Sequence, residues 1–177
     1  MQNNSPDEQL PFSGYRDGGR QPLGKPRSGD ATCRHGYGLD VFGQCGTACV
    51  YCDRELGEPY EAWLDVSVDH VIPVETINRL GYPNEWVNDL INLVTCCRAC
   101  NEFLNGHRVH EPAPATLDGF LTIRDQVFAE KRRHARECHQ REREMYREWL
   151  ETRSPRVPLW RRAIARFRIN TKLPRQR

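Results

Sequence analysis

Between residues 65 and 70, Val66, Val68 and His70 alternate with Asp65, Ser67 and Asp69, which is the two-residue period of a β-strand. Pro73 cannot donate a ladder hydrogen bond, so this strand is predicted to end directly before it. Residues 74–80 are predicted to form a short helix closed by Gly81, because glycine readily takes the left-handed conformation that ends a helix. The apolar run at 90–95 predicts a second strand. The predicted order is therefore strand, crossover, strand.

Two further helices are predicted beyond the second strand. Residues 99–105 are expected to be helical up to Gly106. After a Pro-rich connector, residues 122–125 (Thr-Ile-Arg-Asp) indicate a capping box that begins a helix of about 30 residues, which must stop by Pro155. Such a helix is about 45 Å long and exceeds the small core that it can cover. Its basic middle is therefore predicted to be exposed: Lys131, Arg132, Arg133, His134, Arg136, Arg141 and Arg143.

Charge is distributed unevenly along the chain. Residues 1–123 carry a net charge of −8 and residues 124–177 a net charge of +10, with histidine neutral. A basic third after an acidic body indicates binding to a polyanion such as nucleic acid, and a solvated helix of alternating charge is the alternative. Residues 1–32 are rich in Gly, Pro and polar side chains, which predicts a flexible tail that cannot offset its ordering entropy.

Cysteine spacing points to a metal rather than to disulfides. No apolar run approaches the roughly 20 residues of a membrane span, and the N-terminus lacks the pattern of a secretory signal, which predicts a cytoplasmic protein with reduced thiols. In that setting the eight cysteines favour metal ligation. Cys49-x2-Cys52 and Cys97-x2-Cys100 have the spacing of two zinc knuckles, which together supply the four soft ligands of a structural zinc.

The two knuckles bracket further polar residues in a fixed order. These are Asp69-His70 and Pro73 on and after the first strand, Asn92-Leu93 at the second strand, and Asn101 directly after Cys100. In this order, residues 49–108 resemble the HNH endonuclease family, which has the ββα-metal fold. Asn101 stands where the family often has His, so the resemblance is to the HNN variant. The predicted fold class is α+β: a small ββα-metal (HNH) core with a zinc knuckle pair, followed by a long C-terminal basic helix.

The resemblance implies a metal-dependent endonuclease that hydrolyses DNA phosphodiester bonds, by nicking or by double-strand cleavage. His70 would be the general base, since imidazole suits proton transfer near neutral pH. Asp69 and Asn101 would hold one catalytic divalent cation, Mg2+ or Mn2+, because an amide oxygen suits a hard ion. Asn92 would orient His70 and brace the loop between the strands.

This interpretation divides the chain into a flexible N-terminal tail (1–32), an HNH nuclease domain with its zinc site (33–110), a Pro-rich connector with the long charged helix (111–153) and a basic C-terminal segment (154–177). The alternative function is a non-catalytic, zinc-stabilised module that binds nucleic acid. DNA is the expected partner, no membrane association is expected, and a homodimer or a recruiting protein partner stays open. Asn105 and His107 are further polar residues that could assist the catalytic metal.

Overall fold

The computed structural model describes residues 11–12, 23, 38–109 and 115–153. In chain order these form helix α1 (Gly38–Cys45), helix α2 (Tyr60–Leu64), strand β1 (Val66–His70), helix α3 (Val74–Leu80), a 3-10 helix (Asn84–Trp86), strand β2 (Leu93–Cys97), helix α4 (Arg98–Leu104) and helix α5 (Leu117–Arg153). The structure is thus mixed α+β, with a small sheet and a long C-terminal helix, as predicted. Most of the predicted tail, residues 33–37 and 110 of the predicted nuclease domain, residues 111–114 of the predicted connector and the basic segment 154–177 lie outside the described residues.

The sheet consists of two antiparallel strands, with Val66 opposite Cys97 and His70 opposite Leu93. All of β2 is buried, whereas β1 is fully buried only at Val66. Both strands differ in extent from the prediction, since β1 ends at His70 and β2 begins at Leu93. The reason lies in Asn92, because its side chain, rather than the facing strand, binds both the N–H and the C=O of Ile72.

The short helices fix the position of the strands. Helix α3 has the predicted bounds and is capped by Gly81, whose φ of 72° is left-handed. Helix α4 begins one residue earlier than predicted, at Arg98, directly after β2. Helix α1 is absent from the sequence prediction, because its eight residues, two of them glycine, carry little periodic signal. It packs against β2 on the buried side of the sheet.

Helix α5 begins earlier than the sequence predicts. Its first residue is Leu117, and the Oγ1 of Thr116 accepts a hydrogen bond from the amide of Gly119, 3.2 Å away. The capping box predicted at 122–125 is wrong, because Thr122 lies inside the helix and donates its hydroxyl to the carbonyl of Asp118. A side-chain cap at Thr116, six residues upstream of Thr122, therefore begins a helix of 37 residues.

The middle of α5 is not uniformly exposed, and this part of the prediction is wrong for Lys131. Its side chain is only 1% exposed, and Arg124, about two turns earlier, is fully buried. Phe128 and Ala135 of the same helix belong to the hydrophobic core. Phe12, from the predicted tail, is also buried and meets the Phe128 ring edge-on at 5.6 Å. Helix α5 therefore contributes two buried cations, Arg124 and Lys131, to the interior.

The chain divides into two compact units, Met1–His139 and Gln140–Arg177. The described part of the second unit is residues 140–153 of α5. Its large apolar side chains are exposed: Met145, Tyr146, Trp149 and Leu150. The rings of Tyr146 and Trp149 stack with their centroids 6.2 Å apart. Over the described ranges, no helix has the length and apolar character needed to cross a membrane.

Candidate metal centre and adjoining polar site

Four cysteines from the two predicted knuckles converge in the first unit. The sulfur atoms of Cys49, Cys52, Cys97 and Cys100 all lie within 4.8 Å of one another, and only Cys52 is partly exposed. This confirms the predicted cysteine quartet. Cys45 precedes the first knuckle but is not part of the quartet. Four converging thiols with no carboxylate among them form the ligand set that a structural zinc prefers.

The local backbone explains how each knuckle presents its sulfurs. In the first knuckle, Asp53 adopts a positive φ of 61° and its amide binds the carbonyl of Cys49 at 2.9 Å, which turns the chain sharply after Cys52. In the second, Cys97 is the N-cap of α4, and its sulfur accepts the amide hydrogen of Cys100 at 3.4 Å. The β2–α4 junction therefore orients the sulfurs of Cys97 and Cys100 to one side.

The thiols of the quartet already interact electrostatically. Hydrogen bonds from Cys100, and then from Cys49 and Cys52, hold the pKa of Cys97 well below its ordinary value. The same interactions raise the pKa of Cys100, with the contact to Cys49 the largest. The sulfurs of Cys52 and Cys97 lie 3.8 Å apart. A bound zinc ion would favour the thiolate form of all four ligands.

Helix α5 contacts both knuckles, which the sequence does not reveal. The Nε2 of His139 lies 3.2 Å from the sulfur of Cys100. On the other knuckle, Arg132 and Arg136 bind the two carboxylate oxygens of Asp53 at 3.0 and 2.9 Å. Hydrogen bonds to ligand sulfurs and knuckle loops are the contacts that orient metal ligands in proteins.

Asp69 is held on one oxygen by two donors. Its Oδ2 accepts the hydroxyl of Tyr51 at 2.6 Å and the ammonium of Lys131 at 2.8 Å. Lys131 also donates to the main-chain carbonyl of His70 at 2.8 Å. Burial, followed by the negative charge of Asp69, raises the pKa of Tyr51. The Tyr51 hydroxyl therefore stays protonated and serves as a donor to the carboxylate.

His70 has a fixed ring orientation. Its Nε2 lies 3.0 Å from the Oδ1 of Asn88, in the loop that precedes β2. An amide oxygen can only accept, so Nε2 must carry the hydrogen in this contact. In the neutral imidazole the lone pair is then on Nδ1, which is the form that a general base requires. Asn88 is not predictable from the sequence, because nothing in a loop asparagine indicates a partner 18 residues upstream.

Asn92 is fully buried and bonded at both ends of its amide group. Its Oδ1 accepts the amide hydrogen of Ile72 at 2.9 Å, and its Nδ2 donates to the carbonyls of Ile72 and Val87, both at 3.1 Å. These contacts brace the loops on either side of α3. The ring of His70 receives its described contact from Asn88 instead.

Asn101 lies in the first turn of α4 and faces β1. Its Nδ2 donates to the hydroxyl of Ser67 at 3.0 Å. Ser67 and Asp69 are two residues apart on one strand, so their side chains leave the same face of the sheet. The described contacts use only Oδ2 of Asp69 and only Nδ2 of Asn101, which leaves one oxygen of each available.

These two oxygens belong to the residues that the sequence prediction assigns to a divalent cation. Hard oxygens of this kind suit Mg2+ or Mn2+, which proteins commonly hold with one or two carboxylates, water and substrate phosphate. In the part of the chain that the structure describes, the cysteine quartet is the only cluster of three or more His, Cys, Asp or Glu that could share an ion. The two oxygens, one from a carboxylate and one from an amide, have the chemistry that Mg2+ or Mn2+ accepts.

A cleft of about 510 Å³ lies between α4 and α5, near this site. It is lined by Phe103, Gly106, His107, Arg108, Glu130, Arg133 and His134. The Nε2 of His107 is buried without a hydrogen bond, and the nearest acidic oxygen is that of Glu130 at 3.6 Å. Burial, followed by the charge of Lys131, lowers the pKa of His107. His107 therefore faces the cleft rather than the quartet, and Asn105 is exposed at the end of α4.

No protein-family model, curated protein or solved structure matches the chain. The class of protein is therefore defined by its own residues: a mixed α+β protein with a cysteine quartet that can hold a metal ion such as zinc.

Proposed function

We propose that the protein is an HNH-type endonuclease that hydrolyses DNA phosphodiester bonds with His70 as its general base. The observation that carries the proposal is the contact between the Nε2 of His70 and the Oδ1 of Asn88, which leaves Nδ1 as the basic nitrogen. A structural histidine requires no particular nitrogen to be free. An imidazole that is oriented through one nitrogen and carries its lone pair on the other is suited to deprotonate water.

The zinc quartet has a positioning role in this proposal. Cys97 ends β2 and Cys100 lies in the first turn of α4, so a zinc ion there fixes α4 relative to the sheet. Asn101 follows Cys100 directly and reaches Ser67 on β1. A zinc ion held by the quartet would thereby keep Asn101 beside the face of β1 that carries Ser67 and Asp69.

The reaction needs a base for water and positive charge near the phosphate. His70 accepts the proton of the attacking water at Nδ1 and holds it as imidazolium. Asp69 and Asn101 would bind Mg2+ or Mn2+, which when bound neutralises charge on the phosphoryl and leaving oxygens. Tyr51 and Lys131 keep Asp69 oriented by donating to its Oδ2.

DNA is the proposed substrate because cationic side chains line the nearby cleft. Arg108 and Arg133 are both more than half exposed at its edge. Each has an acidic neighbour on the surface, Glu75 for Arg108 and Glu137 for Arg133. Exposed pairs of this kind are weak, so a phosphate can compete for the guanidinium groups.

A non-catalytic, zinc-stabilised module that binds nucleic acid is the second candidate. The observation that favours it is the engagement of Asp69 by Lys131 and Tyr51, since a carboxylate in a buried ion pair can be purely structural. In that case His70 and Asn88 would form an ordinary hydrogen-bonded pair.

Plasmid nicking separates these two functions. Zinc-loaded protein is incubated with supercoiled DNA and Mg2+ or Mn2+, with and without chelator, beside His70→Ala and Asn88→Ala. Asn84→Ala, which changes an exposed asparagine at the start of the preceding 3-10 helix, is the matched control. The endonuclease predicts metal-dependent nicking that disappears in His70→Ala, falls at least tenfold in Asn88→Ala and is unchanged in the control. DNA binding without nicking under every metal supports the module instead.

A further inference from the structure

The ammonium group of Lys131 is the resident positive charge beside the candidate cation site. Its side chain is 1% exposed, and it donates to the Oδ2 of Asp69 and to the carbonyl of His70. An unpaired buried ammonium is strongly unfavourable, so these two acceptors are what allow a lysine at this position. The pair that results has no net charge.

The neutral pair changes what a divalent cation meets at Asp69. An isolated carboxylate attracts the cation, whereas Lys131 offsets that attraction from the opposite side of the same carboxylate. The offset is large because both partners are shielded from water, with Asp69 only 13% exposed. The free oxygens of Asp69 and Asn101 are therefore chemically suited to a cation but attract it weakly.

A phosphate group would reverse this balance. Its negative charge adds to the site without displacing Lys131, and its oxygens supply ligands that the two protein oxygens lack. Binding of the cation and binding of DNA should then favour each other, and such coupling is reciprocal by thermodynamic necessity.

We propose that Lys131 makes divalent-cation binding at Asp69 depend on the DNA phosphate, so that the free protein holds no tightly bound catalytic ion. This inference rests on the proposed function, because it concerns the same Asp69–Asn101 site. It assigns to Lys131 of α5 the role of controlling when the site binds its catalytic cation.

The first test measures Mn2+ affinity in the absence of DNA. Zinc-loaded full-length protein is titrated with Mn2+, and free Mn2+ is followed by electron paramagnetic resonance. Lys131→Met should bind Mn2+ at least tenfold more tightly than wild type, and adding Asp69→Asn should abolish that gain. Arg133→Met removes one positive charge two residues away on α5, from a side chain that is 75% exposed, and should change the affinity less than twofold.

The second test measures the coupling itself. In the His70→Ala background, which cannot cleave, the affinity for a short duplex is measured by fluorescence anisotropy with and without Mn2+ at constant ionic strength. Mn2+ should tighten DNA binding at least tenfold when Lys131 is present and less than threefold in Lys131→Met. Lys131→Gln, which keeps a donor to Asp69, serves in its place if Lys131→Met does not retain zinc and a cooperative thermal transition.

Equal Mn2+ affinity in wild type and both Lys131 variants would overturn the inference. So would a gain that persists after Asp69→Asn. Because both tests read binding, their outcome is independent of plasmid nicking. A protein that never nicks DNA refutes the proposed function and leaves the role of Lys131 to be decided by the Mn2+ titration.

Discussion

Asn92 and Asn88 have separable roles: Asn92 braces the backbone around α3, and Asn88 orients the ring of His70. Asn92 binds the backbone at Ile72 and Val87, whereas Asn88 binds the ring of His70. Replacing Asn92 with alanine should therefore destabilise the fold. Replacing Asn88 should leave the fold intact and impair the chemistry of His70.

The size of the Asn92→Ala effect follows from its contacts. The substitution removes three hydrogen bonds and leaves the N–H of Ile72 and two carbonyls unpaired in a buried place. Each such loss costs about 1 kcal/mol or more, so the free energy of unfolding should fall by about 3–4 kcal/mol. For a chain of this size that corresponds to a decrease in Tm of about 10 °C.

Thermal and urea unfolding in zinc-containing buffer measure this difference, with Asn88→Ala as the matched control. The control loses one contact of a half-buried side chain, so it should cost less than about 1 kcal/mol. A loss below about 1 kcal/mol in Asn92→Ala would refute the bracing role. A larger loss in Asn88→Ala than in Asn92→Ala would show that the two roles are reversed.

Three further predictions follow from other parts of the first unit. Cys100→Ser should lose zinc and the cooperative thermal transition, whereas Cys45→Ser, outside the quartet, should keep both; metal analysis and melting curves decide, and full zinc content in Cys100→Ser would contradict the assignment. Burial holds the pKa of His107 below its ordinary 6.5, so the folded chain binds this proton less readily than the unfolded chain. The stability that neutral His107 contributes is complete above about pH 6.5 and is lost as the pH falls through the folded pKa. His107→Gln should therefore flatten the decline in Tm between about pH 7 and 5. An unchanged slope of Tm against pH would refute this. Arg133→Ala should weaken DNA binding at low salt and reduce the slope of log affinity against log salt by about 1, and an unchanged slope would exclude a phosphate contact.

The features that could be predicted from the sequence are those that depend on local residue type and spacing. The quartet was predictable because zinc knuckles require a fixed cysteine spacing, and the end of α3 because Gly81 is the residue type that a left-handed cap needs. The beginning of α5 was not, since Thr116 and Thr122 are both able to cap and only the structure shows which of them does.

The interior role of α5 could not be predicted for a different reason. A lysine within a run of basic residues is typical of a solvated face, and the carboxylate that binds Lys131 lies 62 residues earlier in the chain. The partner of His70 is hidden in the same way, because Asn88 belongs to a loop with no periodic pattern. The roles of Lys131 and Asn88 are set by contacts with residues distant in the sequence, rather than by local propensity.

Between Lys131 and His139, α5 works as a fixed spacer. Lys131 reaches Asp69, Arg132 and Arg136 reach Asp53, and His139 reaches Cys100. These anchor points span about 12 Å along the helix axis, a distance set by the rise of 1.5 Å per residue. Inserting or deleting one residue in this interval would rotate every later side chain by about 100°. The distance between Asp69 and the cysteine quartet is therefore matched to the spacing of Lys131 and His139 on α5. A shift of the helix that broke one of these contacts would also break the other.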